Sequence, residues 1–293
     1  MVPKRVSLNM RSKSDGLMWL LLLTALVISE VANAWTFKGI LHNLDKLALK
    51  NKTQKNSVDI GAETFLNDPS FTGNKTIQNF SSAKKILKKF DYLGVKEDIY
   101  CGCEFYDGKI PIDAKCGLKP RKNQNRAYRI EFEHILPFEN QVGHTEAWRS
   151  GVARCDGAKG RKCASEVFGH MEGDLWNLQP SGGEMNGDRS NYTYSMVQGS
   201  RTQYGKCNFI VEDHKAEPRD EVKAMVAFTY MYMEKSYAGY LKTHYISDKN
   251  EKLFKAWSKM PLKKYQCEWA RRVVEVQKNR NEFLLDACRR QGV

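Results

Sequence analysis

Ile130-Glu131-Phe132-Glu133-His134-Ile135-Leu136-Pro137 is the stretch on which the reading of this chain turns. Apolar and polar residues alternate from Ala127 to Glu133, the period of a β-strand. Successive strand side chains point to opposite faces, so Glu133 and His134 can serve one site only where the strand ends or twists. Pro137, just beyond them, fits a strand end because it cannot donate to a sheet ladder. A carboxylate beside an imidazole offers an oxygen donor for a hard cation and a base that works near neutral pH. Taken alone, a Glu-His dipeptide is most often a surface pair, so its flanks must supply the weight. Downstream stand Asp174-Leu175-Trp176-Asn177-Leu178 and Asn186-Gly187-Asp188-Arg189-Ser190-Asn191-Tyr192, an amide oxygen and a polar, Gly-punctuated string.

The rest of the chain constrains the setting. Lys4, Arg5, Arg11 and Lys13 precede the apolar run from Leu17 to Ile28, and Ala32-Asn33-Ala34 follows with the pattern of a cleavage site. The run is shorter than the roughly 20 residues that span a bilayer. Residues 1–34 therefore read as a signal peptide, and the product as exported, periplasmic or secreted, with no stable membrane insertion. Eight cysteines, Cys101, Cys103, Cys116, Cys155, Cys163, Cys207, Cys267 and Cys288, all follow that run. In an oxidising compartment they point to four disulfides, where a cytosolic chain would suggest zinc at Cys101-Gly102-Cys103 and Cys155/Cys163. Spacing alone does not give their pairing. Of the net charge of +13, four basic and two acidic residues fall in the first 34, which leaves +11 for the mature chain. Such a surface attracts polyanions and gains from counterion release, but charge alone does not separate a nucleic-acid partner from an anionic surface.

Residues 35–80 form an N-terminal extension to which the sequence assigns no role; Asn51, Asn74 and Asn79 begin Asn-x-Ser/Thr triplets, acceptors for glycosylation in a eukaryotic secretory pathway. From Ser82, a plausible N-cap, Ala83, Ile86, Leu87 and Phe90 with four interleaved lysines give an amphipathic helix whose basic face is read as solvated. Asp107-Gly108 marks a turn between short strands. Residues 140–173 read as a long cross-linked loop, and residue 174 opens a short helix that ends near Pro180-Ser181-Gly182-Gly183. The last third is helical: one helix from Pro218 to Gly239, one capped by Ser247 and halted by Pro261, and one from about Lys263 to Cys288.

Glu133-His134-Ile135-Leu136-Pro137, Asp174 to Pro180 and Gly183-Glu184-Met185-Asn186-Gly187-Asp188-Arg189-Ser190-Asn191-Tyr192 resemble the motifs of the bacterial endonuclease I family. Tyr100-Cys101-Gly102-Cys103 and Tyr204-Gly205-Lys206-Cys207 are further landmarks, and the resemblance runs from about Ser82 to Cys288. It implies an α+β fold with a ββα-metal (His-Me finger) nuclease core and a mainly helical remainder, here a domain over residues 81–293. It also implies an endonuclease of little sequence preference that cuts DNA, and RNA too, with one Mg2+ ion (Mn2+ or Ca2+ as substitutes) and leaves 5′-phosphate ends. Carried over, His134 is the general base, Glu133 and Asn177 are the metal ligands, and Arg161 is the catalytic phosphate-stabilising cation, with Arg149 and Arg154 as alternatives. Arg189 is read as structural, paired with Asp188, and Glu131 as a solvated edge carboxylate. The protein is read as a monomer. The competing reading is a disulfide-stapled polyanion-binding protein whose nuclease site has decayed.

Overall fold

In the computed structural model, which describes residues 66–137, 166–238 and 244–293, the first long helix starts earlier than Ser82. Helix α1 (Phe80–Lys89) is capped by Asn79, whose Oδ1 accepts the Ser82 amide at 2.9 Å. Asn and Ser are both good caps, but here Ser82 supplies the N–H and Asn79 the acceptor. The helix buries Ala83 and Leu87 and turns its lysines outward. Upstream, Phe71 and Ile77 join the core, and Asn74 is fully buried. Its Nδ2 donates to the Ile77 and His170 carbonyls at 2.7 Å each, which closes Asn74 to glycosylation. Asn51 lies outside the described residues.

Asp107 and Gly108, at φ 49° and 71°, form the expected turn, across which Tyr106 and Lys109 exchange backbone hydrogen bonds of 2.9 and 3.0 Å. A short helix, α2 (Gln124–Ala127), then ends on Ala127, the first residue that the alternation assigned to a strand, and Asn123 caps it by accepting the Arg126 amide. Strand β1 therefore runs over Ile130–His134 only. Most of the stretch read as a cross-linked loop lies outside the described residues; its end is helix α3 (Glu166–Glu172).

The largest departure follows. The helix expected from residue 174 is a single 3-10 turn, Leu175–Asn177, and Leu178–Gly182 is strand β2, antiparallel to β1 with Phe132 opposite Pro180. Proline is tolerated because the sheet has only two strands, and the Pro180 carbonyl still accepts the Ile99 amide at 2.8 Å. Helix α4 (Gly183–Arg189) leaves β2 without a linker. A second small sheet has the order β3 (Thr193–Tyr194), β5 (Lys215–Glu217), β4 (Ile210–Glu212), with β3 parallel and β4 antiparallel to β5.

The last third is helical as expected, with one added break. Helix α5 (Asp220–Met233) is buried continuously from Val222 to Met233, so it is a central helix rather than a surface stripe. It packs against α6 (Asp248–Trp257), α8 (Glu282–Gln291) and the Leu175–Asn177 turn. Ser247 caps α6 as read from the sequence. The single helix expected after Lys263 is two: α7 (Lys264–Gln277) stops at Lys278, φ 65°, and Asn281 caps α8. Asp174 joins the turn before β2 to this helical core. Fully buried, it accepts from the Tyr232 and Tyr237 hydroxyls at 2.6 and 2.7 Å, Gln277 Nε2 at 2.7 Å and the Trp176 amide at 3.0 Å.

The described residues contain the disulfides Cys101–Cys207, Cys103–Cys116 and Cys267–Cys288; Cys155 and Cys163 lie outside them. With Cys101 and Cys103 in separate bridges, Cys101-Gly102-Cys103 is not a zinc site. Asp98 beside them accepts the amides of Tyr100, Cys101 and Cys103 at 3.1, 3.2 and 2.9 Å, so the acidic group there caps a turn. The chain is thus a mixed helix-and-sheet structure stapled by disulfides. Loop-closure entropy sets an expected order: replacing Cys267 and Cys288 by Ala costs about 3 kcal/mol, and replacing Cys101 and Cys207 about 5 kcal/mol. Guanidinium unfolding of the two double variants checks this, and a smaller loss for the 101–207 pair contradicts it.

Candidate functional site

Three pieces of backbone build the site. β1 ends at Glu133-His134, opposite Gln179 and Leu178 of β2, and α4 follows β2 directly. Glu133 and His134 from the strand, Asn186 and Arg189 from α4, and Phe80 and Glu172 from flanking segments line one open cavity of about 350 Å³. The conflict between neighbours on opposite faces is resolved by the strand's ending. Beyond His134 the Ile135 amide donates to the Asn177 carbonyl at 3.0 Å, and the chain turns away.

His134 Nε2 lies 2.8 Å from the Glu172 carbonyl oxygen. A carbonyl can only accept, so Nε2 carries the hydrogen, and Nδ1 is the basic nitrogen of the neutral ring. The Phe80 ring packs on the imidazole with centroids 4.7 Å apart.

Glu133 is 3% exposed, and both of its polar contacts fall on Oε1: the Tyr100 hydroxyl at 2.5 Å and Nη1 of Arg189. Burial pushes its carboxyl above the ordinary carboxylate range, against the opposing pull of the Arg189 charge and the Tyr100 hydroxyl. Arg189 is fully buried. It also donates Nη1 to the His134 carbonyl at 2.7 Å, Nη2 to that of Ile135 at 2.5 Å and Nε to that of Tyr192 at 3.1 Å, and it lies over the Tyr194 ring. The structural reading of Arg189 agrees with these contacts, but its acidic partner is Glu133. Asp188 instead accepts from the Tyr204 hydroxyl at 2.6 Å and lies 3.5 Å from Arg121.

Glu131 is not a solvated edge carboxylate. It takes Nε and Nη2 of Arg126 at 3.0 and 2.9 Å, pairs with Arg129, and accepts Asn186 Nδ2 at 3.1 Å. Burial raises its carboxyl, yet the hydrogen bonds and charges of Arg126 and Arg129 outweigh that and hold it below the ordinary value. With its nitrogen committed to Glu131, Asn186 has its carbonyl end for the cavity.

Asn177 is placed differently. It is fully buried, its Oδ1 accepts the Leu136 amide at 2.7 Å, and its Nδ2 donates to the Leu136 carbonyl at 2.9 Å. Both ends of the amide clamp the backbone just past β1, and the side chain is not part of the cavity wall. Of the residues read from the sequence, the structure therefore brings Glu133 and His134 together and sets Asn177 apart. Arg161, Arg149 and Arg154 lie outside the described residues. Sequence reasoning passed over Asn186, Glu172 and Phe80. Asn186 stood inside a quoted motif, and its signal was hidden because Pro180-Ser181-Gly182-Gly183 was read as a helix stop rather than as a strand running into a helix.

Glu133 Oε2 and Asn186 Oδ1, each on a side chain whose other polar end is engaged, make a donor set of hard oxygens. That set suits a divalent cation that keeps water or substrate oxygens in its remaining positions.

Comparison with known proteins places this arrangement. The family model described as Endonuclease I matches residues 42–288, beginning inside the segment read as an extension. The chain is 37% identical over 230 residues to "Endonuclease-1" of Buchnera aphidicola subsp. Acyrthosiphon pisum (strain APS), covering 76% of this chain and 86% of that protein. It is 37% identical over 220 residues to a "Periplasmic deoxyribonuclease" of Aeromonas hydrophila, covering 72% and 87%. An "Extracellular deoxyribonuclease" of the same organism is 36% identical over 221 residues, covering 72% and 90%. A match that takes in the cavity, its two strands and the helices behind them establishes that this chain belongs to the endonuclease I family.

Proposed function

We propose that the protein is an exported, metal-dependent endonuclease that hydrolyses DNA through a ββα-metal (His-Me finger) site. The observation that carries this reading is the convergence on one cavity of Glu133 and His134 from β1 with Asn186 from α4. The names of the Aeromonas relatives support DNA as the substrate and export as the destination. The net charge of +13 favours a polyanion. RNA, with the same phosphodiester link, is a second substrate on this reading.

In the proposed reaction, a water molecule attacks phosphorus, the bond to the 3′ oxygen breaks, that oxygen takes a proton from solvent to leave as a 3′-hydroxyl, and the new oxygen stays on a 5′-phosphate. His134 Nδ1 takes the proton of the attacking water, while the Glu172 carbonyl holds Nε2–H and so fixes which nitrogen is basic. Glu133 and Asn186 are the residues that would hold Mg2+, with Asn186 in place of the Asn177 expected from the sequence. When bound, that ion supplies electrostatic stabilisation for the phosphorane and the departing oxygen. Arg189 and Tyr100 hold the Glu133 carboxylate by Oε1 and so present Oε2. Glu131 orients the Asn186 amide. Arg161 is the proposed cation for the non-bridging phosphate oxygens, on the strength of its Gly-Arg-Lys-Cys context.

Supercoiled plasmid should be nicked and degraded in Mg2+ and remain intact in chelator; equal digestion in both removes the metal from the mechanism. His134→Ala should lower the cleavage rate by about 100- to 10,000-fold, the contribution of a positioned base, with DNA binding kept. The two asparagines separate ligand from clamp. Asn186→Ala should lose activity and need more Mg2+ while its melting temperature holds. Asn177→Ala should lose about 1–3 kcal/mol of stability, because it strands the Leu136 backbone groups. Paired melting curves and Mg2+ titrations of these two variants decide the assignment, and the reverse pattern restores Asn177 as the ligand.

A further inference from the structure

The proposed base is held by a segment to which the sequence gave no task. Two of the contacts that restrain His134 differ in kind. The Glu172 carbonyl fixes the ring's Nε2 at 2.8 Å, which leaves rotation about that hydrogen bond, and the Phe80 ring, 4.7 Å away and tilted by 46°, packs against the imidazole itself. One turn along α1, Lys84 lays its ammonium 4.6 Å from the centroid of the same Phe80 ring. A cation above an aromatic ring is attracted to it, and this contact steadies the phenyl group.

The two restraints come from pieces keyed to one another. Asn74 donates to the His170 carbonyl, which joins the stretch before α1 to α3. Gly169 and Gly173 pass so close to the Gln78–Asn79 backbone that an added Cβ would lie 2.5 Å from the Gln78 oxygen and 2.9 Å from Asn79. No side chain fits at either crossing. The chain that delivers Phe80 and the chain that delivers the Glu172 carbonyl therefore meet backbone to backbone, and a shift of one moves the other.

We infer that Phe80 is a positioning residue for the base: its ring sets the plane of the His134 imidazole, and the stretch from Asn74 to Lys84 is part of the catalytic apparatus. The inference rests on His134 being the base. Phe80 also lines the cavity, so a plain substrate contact is the rival role. The two differ in what they do to kinetics. Misorienting the base lowers kcat and leaves KM, whereas losing a substrate contact made equally in the ground and transition states raises KM.

The test uses the full mature chain and steady-state cleavage of a fluorogenic oligonucleotide. Phe80→Leu keeps an apolar filler and removes the plane; it should lower kcat about tenfold, within the roughly 100-fold that small misplacements can cost, with KM changed by less than about twofold. Phe80→Tyr keeps the ring and should return kcat to within about twofold of the parent. In a His134→Ala background, where no imidazole remains to be placed, Phe80→Leu should cause no further loss, measured under single-turnover conditions at high enzyme concentration. Raised KM with unchanged kcat, or full additivity with His134→Ala, overturns the positioning role while the base assignment stands. Parental kcat for His134→Ala overturns the base assignment and this inference with it.

Discussion

The ion pair between Arg189 and Glu133 is the constraint on which the site depends. Both groups are all but sealed from solvent. Breaking such a pair from one side costs about 3–5 kcal/mol, because the remaining charge is left buried without a partner. Glu133 lies next to the end of β1 and Arg189 closes α4, so the pair sets the separation between the strand that carries the imidazole and the helix that carries Asn186. A second tie runs beside it. Glu131 and Glu133 share a strand face by their spacing of two, and Asn186 and Arg189 share a helix face by their spacing of three. Each carboxylate takes one of the helical residues, so the strand period and the helix period are matched across the site.

This matching explains which parts of the molecule could be read in advance. β1 was legible from its alternation, the Asp107-Gly108 turn from its residue types, and α5 and α6 from their spacing and, for α6, its Ser247 cap. Glu133 and His134 were legible as a pair because local order placed them at a strand end. Asn186, which lines the cavity from the helix, was not. Leu178-Gln179-Pro180-Ser181-Gly182 has no β-branched residue and carries Pro and Gly, both depleted in strands, and it is a strand because β1 supplies its partner and the Ile99 amide donates to its Pro180 carbonyl. Once that strand is missed, the next helix is missed, and with it the place of Asn186 on the cavity wall. The division of the last helix failed for a similar reason. Lys278 adopts a left-handed conformation that its residue type does not announce, and Asn279 is drawn off by Gln277, Tyr232 and the Thr72 carbonyl from elsewhere in the chain.

Behind the site, buried polar groups do the work that a larger sheet would otherwise do. Asp174 gathers two tyrosine hydroxyls, an amide and a backbone N–H from the turn before β2 and from the helical core. Glu184, in the first turn of α4, accepts three consecutive amides, those of Arg121, Lys122 and Asn123, at 2.9, 2.6 and 2.6 Å. Each is a carboxylate whose hydration is replaced by aligned donors, the condition under which such burial is tolerated. The short two-stranded sheet is therefore anchored from both sides by networks satisfied in full, and its geometry does not rest on backbone ladders alone.

The Asn177–Leu136 clamp has a bearing on how this architecture varies. It joins residues 41 positions apart at the mouth of the hairpin, so the chain that leaves β1 and the chain that enters β2 are fastened together where they part. Lengthening a tethered loop costs only about 0.6 kcal/mol per doubling. A change in chain length between the fastened points therefore puts little strain on the strands below, provided the Glu166–Gly173 stretch that meets Gln78–Asn79 is kept. The clamp thus works as a collar: it insulates the paired strands from the chain that leaves them, while the Glu172 carbonyl, on that same chain, keeps a separate hold on the imidazole.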